Sequence, residues 1–347
     1  MTPASRERCA RPPAVRKPLR SALVIPLSLC LVGAAAETGA ERRANGFALD
    51  PAAIPAEEIR VGGPPRDGIP ALDDPAVVPA ARSSFTDEAR VLGLVANGSA
   101  RAYPLAILEW HELVNDTLGG RPVLVSYCPL CGTAMAFDRR SGDRALRFGV
   151  SGLLYRSDLL MFDRETESLW SQIRAEAVTG PALGLRLELL RSRIARLGSW
   201  RREHPDTTVL SRDTGHRRRY GVSPYEDYQR SDRLMFPAPR DRRYHPKMPT
   251  AGLRVPAGES RAYPAAEVVR SGGQVAERFA GRPVRVAFDP DTGAFAIEAP
   301  GELEVIEGYW FAWMAFHPES SVFVAPDVRD ADAPREAEPA KQAERDR

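Results

Sequence analysis

Cysteine and histidine are scarce: the 347-residue chain holds four of the first and five of the second. There is one C-x-x-C and no second, and no histidine follows Cys131, so covalent haem attachment has no motif to rest on. Charge of one sign is also missing. A formal net charge of +2 gives no electrostatic case for nucleic-acid binding, and the basic run His216-Arg217-Arg218-Arg219 reads as solvated surface. No phosphate-cradling glycine loop, dinucleotide fingerprint or H-E-x-x-H zinc motif occurs, since His111-Glu112 lacks its second histidine. The apolar run Ala22 to Gly33 is too short to span a bilayer comfortably.

Proline, by contrast, is abundant at 31 residues, which favours short elements joined by rigid loops. The N-terminus has the order of an export signal: Arg16, Lys17 and Arg20, then the apolar run, then Ala34-Ala35-Ala36 ahead of Glu37. Residues 1–36 are therefore expected to be a signal peptide and the mature chain periplasmic or extracellular. An uncleaved run, or lipidation at Cys30, would instead leave the chain membrane-associated, although Leu29 is large for a lipidation site. Cleavage removes Cys9 and Cys30, so Cys128 and Cys131 would meet an oxidising compartment alone. Residues 37–85, rich in Pro, Gly, Ala and Asp, read as an extended arm crossing the domain surface. Residues 326–347 hold too few large apolar side chains to offset ordering entropy and read as a disordered tail.

Residues 86–325 are expected to form a single α+β domain, and they contain a repeat. Arg101-Ala102-Tyr103-Pro104 recurs as Arg261-Ala262-Tyr263-Pro264, and Gly120-Arg121-Pro122-Val123 as Gly281-Arg282-Pro283-Val284. The copies span 91–138 and 252–298. Each reads as a strand-strand-helix-strand-strand unit, with Asn97-Gly98 and Ala257-Gly258 in the first turn and Pro104 and Pro264 opening the helix. Val123, Val125 and Tyr127 alternate as a half-buried strand does, as do Val284, Val286 and Phe288. The units should build mixed or antiparallel sheets, with an inserted segment carrying strands at Leu146 to Val150 and Asp158 to Phe162 and a helix near Trp200 to Glu203.

Chemistry concentrates in one copy. Ile107, His111, Val114 and Leu118 recur at spacings of four, three and four, which predicts one helix face turned toward the sheet. The strand that follows ends in VSYCPLCGTAMAF, where Pro129 and Gly132 tighten the loop and bring Cys128 and Cys131 to one side. The second copy has Asp289-Pro290-Asp291-Thr292-Gly293 and Arg270-Ser271 at the matching places, so the framework needs neither thiol nor imidazole. Two thiolates and a neutral imidazole suit copper or zinc. The expected metal ligands are Cys128, Cys131 and His111, with His317 as first choice for a fourth and His204, Met135 and Met161 behind it. Three functions stay open. The site could be a copper or zinc centre for metal handling or electron transfer, served by a metal donor or acceptor protein. It could be a thiol-disulfide oxidoreductase using Cys128 and Cys131 with a redox partner. Or the chain could be a noncatalytic binding module, stapled by a disulfide, with a large aromatic-lined cleft between the repeats.

The other clusters read more plainly. Gly149 and Gly152 around Ser151 suggest a glycine-rich strand bend, since G-x-S-G is not the five-residue nucleophile elbow. Asp163, Arg164 and Glu165 form a charged turn, or else orient a metal-bound histidine; Trp110, Trp170, Trp310 and Trp313 suit core or pocket walls. Taken together, AYPLAILEWHELVND, SYCPLCGTAMAFDR, FGVSGLLYRSDLLMFDRETESLWSQ and WFAWMAFHP resemble a prokaryotic domain-of-unknown-function family, number 3179, from about Asp67 to His317. That resemblance implies a secreted or membrane-associated protein and supports the domain limits. It supplies no reaction and assigns no residue a role.

Overall fold

The computed structural model describes residues 42–326. The expected signal peptide, with Cys9 and Cys30, and the tail beyond Pro326 lie outside the described residues. Among those described, five short α-helices, none longer than seven residues, are set into a fold made mostly of strands. The proline content anticipates this brevity. The architecture is α+β with mixed sheets, because antiparallel ladders dominate and a few pairs are parallel, such as Thr208–Leu210 beside Ser99–Pro104.

From Arg90 the chain runs through strands Arg90–Ala96 and Ser99–Pro104, helix Leu105–His111, and strands Leu113–Leu118, Arg121–Cys128 and Thr133–Asp138. From Pro249 it runs through strands Pro249–Arg254 and Ser260–Pro264, helix Ala265–Arg270, and strands Gln274–Phe279, Arg282–Asp289 and Ala294–Glu298. Pro104 and Pro264 cap these helices from the ends of the preceding strands and do not form their first turn. Between the two stretches lie strands Phe148–Tyr155 and Asp158–Asp163 and helix Leu197–Glu203, close to where the sequence places them. The arm does more than cross the surface. Ile59–Val61 pairs with Leu153–Tyr155 and Val77–Pro79 with Thr208–Leu210, while Phe47, Leu49 and Ile54 are buried.

The helical periodicity expected through Leu118 fails one residue after His111. Glu112 has φ +57°, which stops the helix, and Leu113–Leu118 is a strand paired with Arg121–Cys128. Val114, Asn115, Asp116 and Thr117 are poor helix formers, and the ladder satisfies their backbone groups, so sheet pairing wins over spacing. The consequence for the site is direct: side chains 111 and 112 leave the chain in different environments.

Strand Thr133–Asp138 touches strand Glu304–Tyr309 through a single pair, Ala134 with Glu307. The buried Glu307 carboxylate also accepts the Ile194 amide at 3.2 Å. Burial raises its pKa to about 7, opposed by that amide hydrogen bond and by Arg90 and Arg193. The native state thus keeps a proton that the unfolded chain releases near pH 4.5, and stability falls as pH rises from there through about 7. Glu307→Gln should flatten this limb and leave the protein more stable than wild type above pH 8, by on the order of 3 kcal/mol. Urea melts at pH 5 and pH 8 check this; parallel curves for the two proteins would contradict it.

Candidate metal centre

Strands Arg121–Cys128 and Thr133–Asp138 form a hairpin in which Cys128 pairs with Thr133. The turn closes through Gly132 at φ +62°, where a Cβ would also sit 2.8 Å from the Tyr309 ring. A side chain at 132 would therefore strain the backbone and displace the aromatic wall. Both cysteines are free thiols with at most 1% exposure, among core residues that include Met135, Met161 and Trp170. Both sulfurs lie near the carbonyl of Ser157, Cys131 at 3.3 Å and Cys128 at 3.8 Å.

Ser157 belongs to a two-residue turn with Arg156, both at positive φ, that joins Phe148–Tyr155 to Asp158–Asp163. The turn sets Asp158 beside the thiols. Among the described residues, Cys128, Cys131 and Asp158 are the one group of three metal-ligating side chains whose donor atoms lie within 4.8 Å of one another. One Asp158 oxygen accepts the Ile173 amide at 3.2 Å, while its Oδ1 is buried with no hydrogen-bond partner. Gln172 lies next to this cluster, its amide nitrogen bound to Ser126 Oγ and the Thr133 carbonyl and its Oε1 unpartnered. Buried orphan acceptors are rare because leaving one unmade costs about 1–3 kcal/mol.

Burial governs the electrostatics. It pushes both thiols up, lifts Asp158 to about 7 and lifts Glu112 to about 8, with Asp158 itself adding to the last. Without a cation the cluster is stable as neutral acids; a metal ion would remove those protons and stabilise the anions. Glu112 is 8% exposed, its backbone sits at positive φ, and its carboxyl feels the charge of Asp158. Non-glycine residues at positive φ are uncommon and collect at functional positions.

His111 is not part of this group. Its Nδ1 donates to the Pro70 carbonyl at 2.8 Å, and its Nε2 accepts from the Tyr220 hydroxyl at 2.7 Å. The carbonyl can only accept, so the tautomer follows from the partners. Burial lowers its pKa to about 4, so the ring is neutral, buried and fully bonded. It fastens the arm and the loop at Tyr220 to the helix end. Helix termination at Glu112 leaves His111 with these partners and outside the group formed by Cys128, Cys131 and Asp158.

The other expected ligands also lie elsewhere. His317 packs at a tilt against Trp313 with centroids 4.2 Å apart, and its Nε2 is 3.5 Å from Arg254 Nη1. His204 packs at a tilt against Trp200, centroids 4.1 Å apart. Ser151 is buried in a bulge, its hydroxyl donating to the Leu160 carbonyl, so it is no nucleophile in waiting. The Asp163 carboxylate holds the backbone and hydroxyl of Thr166 and the Trp170 indole, which makes this cluster a braced turn. Sequence reasoning missed Asp158. The signal available was an aspartate opening Leu159-Leu160-Met161-Phe162, a strand buried on both faces where a charge has no bland reason to sit.

The thiols are sealed from outside by a strap with little regular structure, centred on helix Glu226–Arg230. Tyr225, Tyr228, Leu234 and Phe236 pack against the cysteine core. The Tyr228 hydroxyl donates to the Leu130 carbonyl within the C-x-x-C loop, and Ser157 Oγ donates to the Phe236 carbonyl. No curated protein and no solved structure shows detectable similarity to this chain. A family model described as a protein of unknown function, DUF3179, matches residues 66–320, a span that contains Glu112, Cys128, Cys131 and Asp158, and the chain belongs to that family.

Proposed function

We propose that this domain holds one metal ion between Cys128, Cys131 and Asp158, with the buried Glu112 carboxyl adding negative charge nearby. The observation that carries the reading is the convergence of three buried donors within 4.8 Å, one of them with an unpartnered oxygen. With a carboxylate in place of the expected imidazole the donor set favours zinc over copper, since zinc accepts mixed thiolate and carboxylate ligation. Every donor is closed off from solvent, so the centre suits metal holding or transfer better than hydrolysis, which needs an open coordination position. Export, if the N-terminal signal acts, would place this centre outside the cytoplasm, where metal occupancy would protect the thiols from oxidation.

The duplicated scaffold is part of the same proposal. Arg101 and Tyr103 share the carboxylate of Asp116, and Arg261 and Tyr263 share that of Glu277. Trp200 covers Gly93 and donates to Thr207, while Trp313 covers Gly252 and donates to Ser320. Each tryptophan carries a histidine four residues on, within Trp-x-x-x-His-Pro. These parallels support a repeat longer than the two tetrapeptides suggested, and they give His204 and His317 the same framework role.

A dithiol redox role is the second reading, favoured by two free thiols in one tight hairpin. Their burial opposes it, because exchange requires a partner sulfur to reach the attacking atom. The binding-module reading has less support: the cavity lined by Gly93, Trp200, Ile297, Val305 and Glu307 measures about 240 Å³ and presents a single large aromatic wall. Elemental analysis with thiol titration on protein purified without oxygen separates these readings. About one equivalent of metal with both thiols masked is expected, and Asp158→Asn should lower metal content several-fold with both thiols intact. Metal-free protein whose thiols cycle readily to a disulfide would sink the metal reading.

A further inference from the structure

The two halves of the chain differ at one matching place, and the difference is a cavity. Strand Arg90–Ala96 lies between Ser192–Arg196 and Ser99–Pro104, and helix Leu197–Glu203 follows the former. Strand Pro249–Arg254 lies between Glu304–Tyr309 and Ser260–Pro264 in the same way, with helix Trp310–Phe316 following Tyr309. Val95 and Arg254 each stand two residues beyond the glycine that the tryptophan covers, so each shares a strand face with that glycine. In the second half this face is filled. Arg254 Nη1 donates to the Ile173 carbonyl at 3.1 Å and lies 3.5 Å from His317 Nε2. Ile173 is buried in one apolar cluster with Ile306 and Trp313. In the first half the matching face borders a cavity of about 240 Å³, walled by Val95, Trp200, Ile297 and Val305.

We propose that this cavity binds a small, uncharged, mostly apolar molecule of one or two rings. A site of this size is a side pocket rather than the large cleft of a binding module. It is ample for such a ligand, since a dry apolar cavity of about 150 Å³ already takes up benzene. The charged groups in its lining are engaged elsewhere. Arg191 Nη2 donates to the carbonyls of Ala299, Pro300 and Leu303 at 3.1, 3.2 and 3.3 Å. Arg193 pairs with Glu203 and lies over the Trp200 ring. Glu307 Oε1 accepts the Ile194 amide, and the other carboxyl oxygen remains to take one N–H from a ligand. A polypeptide suits the place less well. The second half holds the Ile173 backbone with the Arg254 guanidinium, whereas Val95 has no donor to offer a carbonyl. The match between halves rests on the duplicated scaffold proposed above; the cavity and its lining stand without it, and without a bound metal.

Isothermal titration of the full-length protein with indole tests this, since indole is uncharged, has two fused rings and carries one N–H. Saturable binding of one equivalent is expected, with Kd on the order of 0.1 mM. Val95→Trp attaches the same ring to the lining and should weaken indole binding by about tenfold or more, with an unchanged circular dichroism spectrum. Val95 is 44% exposed, so the fold has room for the larger side chain. Ile297→Trp, from a second wall, should act alike. Cys128→Ser protein should bind indole as wild type does, which separates this site from the metal centre. Absence of saturation up to about 2 mM indole, or undiminished binding by both tryptophan variants, would overturn the proposal. Tighter binding of indole-3-acetate than of indole would overturn it in favour of an anion site at Arg191 and Arg193. Saturable binding of the capped tripeptide Gln-Ile-Arg, with indole ignored, would overturn it in favour of a polypeptide partner.

Discussion

Purified Cys128→Ser protein is expected to carry less than a tenth of the metal bound by wild type, with apparent affinity reduced by well over a hundredfold. Removing a hydrogen bond that merely orients a ligand costs about 10–100-fold in metal affinity, so losing a donor should exceed that range. A serine hydroxyl fits the space but does not ionise at neutral pH, and its oxygen is a poor replacement for a thiolate. The companion variant is His111→Ala. It should keep its metal and lose stability, because both ring nitrogens are bonded to Pro70 and Tyr220. Two lost hydrogen bonds and a buried cavity together should cost about 3–4 kcal/mol. Metal content by mass spectrometry and urea melts read the two effects separately. Loss of metal from His111→Ala at unchanged stability would reverse the assignment.

The largest expected loss of stability comes from adding one carbon. An alanine Cβ at position 252 would lie 2.0 Å from the Trp313 ring, a separation that real contacts do not reach. The ring has nowhere to go, since its indole nitrogen is tied to Ser320 and the His317 ring packs against it with centroids 4.2 Å apart. The backbone cannot retreat either, because Gly252 is paired on one side with Ala262 and on the other with Ile306. Overpacking of this kind costs about 3 kcal/mol or more, which corresponds to a fall in Tm of roughly 5–10 °C. Gly93→Ala beneath Trp200 should behave alike, with a separation of 2.4 Å. Gly301→Ala is the control, as nothing lies within 4 Å of its Cβ position. A melting temperature for Gly252→Ala within a degree of wild type would show that the strand and tryptophan can part freely.

What the residues alone determined was local. Val123, Val125 and Tyr127 marked a strand; Pro129 and Gly132 marked the tight loop after it; together they put Cys128 and Cys131 on one side of a hairpin. Strand Asp158–Asp163 and helix Leu197–Glu203 were legible for the same reason, since propensity and turn chemistry act over a few residues. The partners of the thiols were decided elsewhere. Asp158 arrives through a turn 27 residues beyond Cys131, and Tyr220 reaches His111 across 109 residues. No spacing encodes such contacts, because they depend on which surface each element packs against. The placing of His111 was finer still. Helical spacing gave the imidazole a place beside the thiols, and one residue at positive φ, stabilised by the strand that follows it, ended the helix and left His111 with Pro70 and Tyr220 instead.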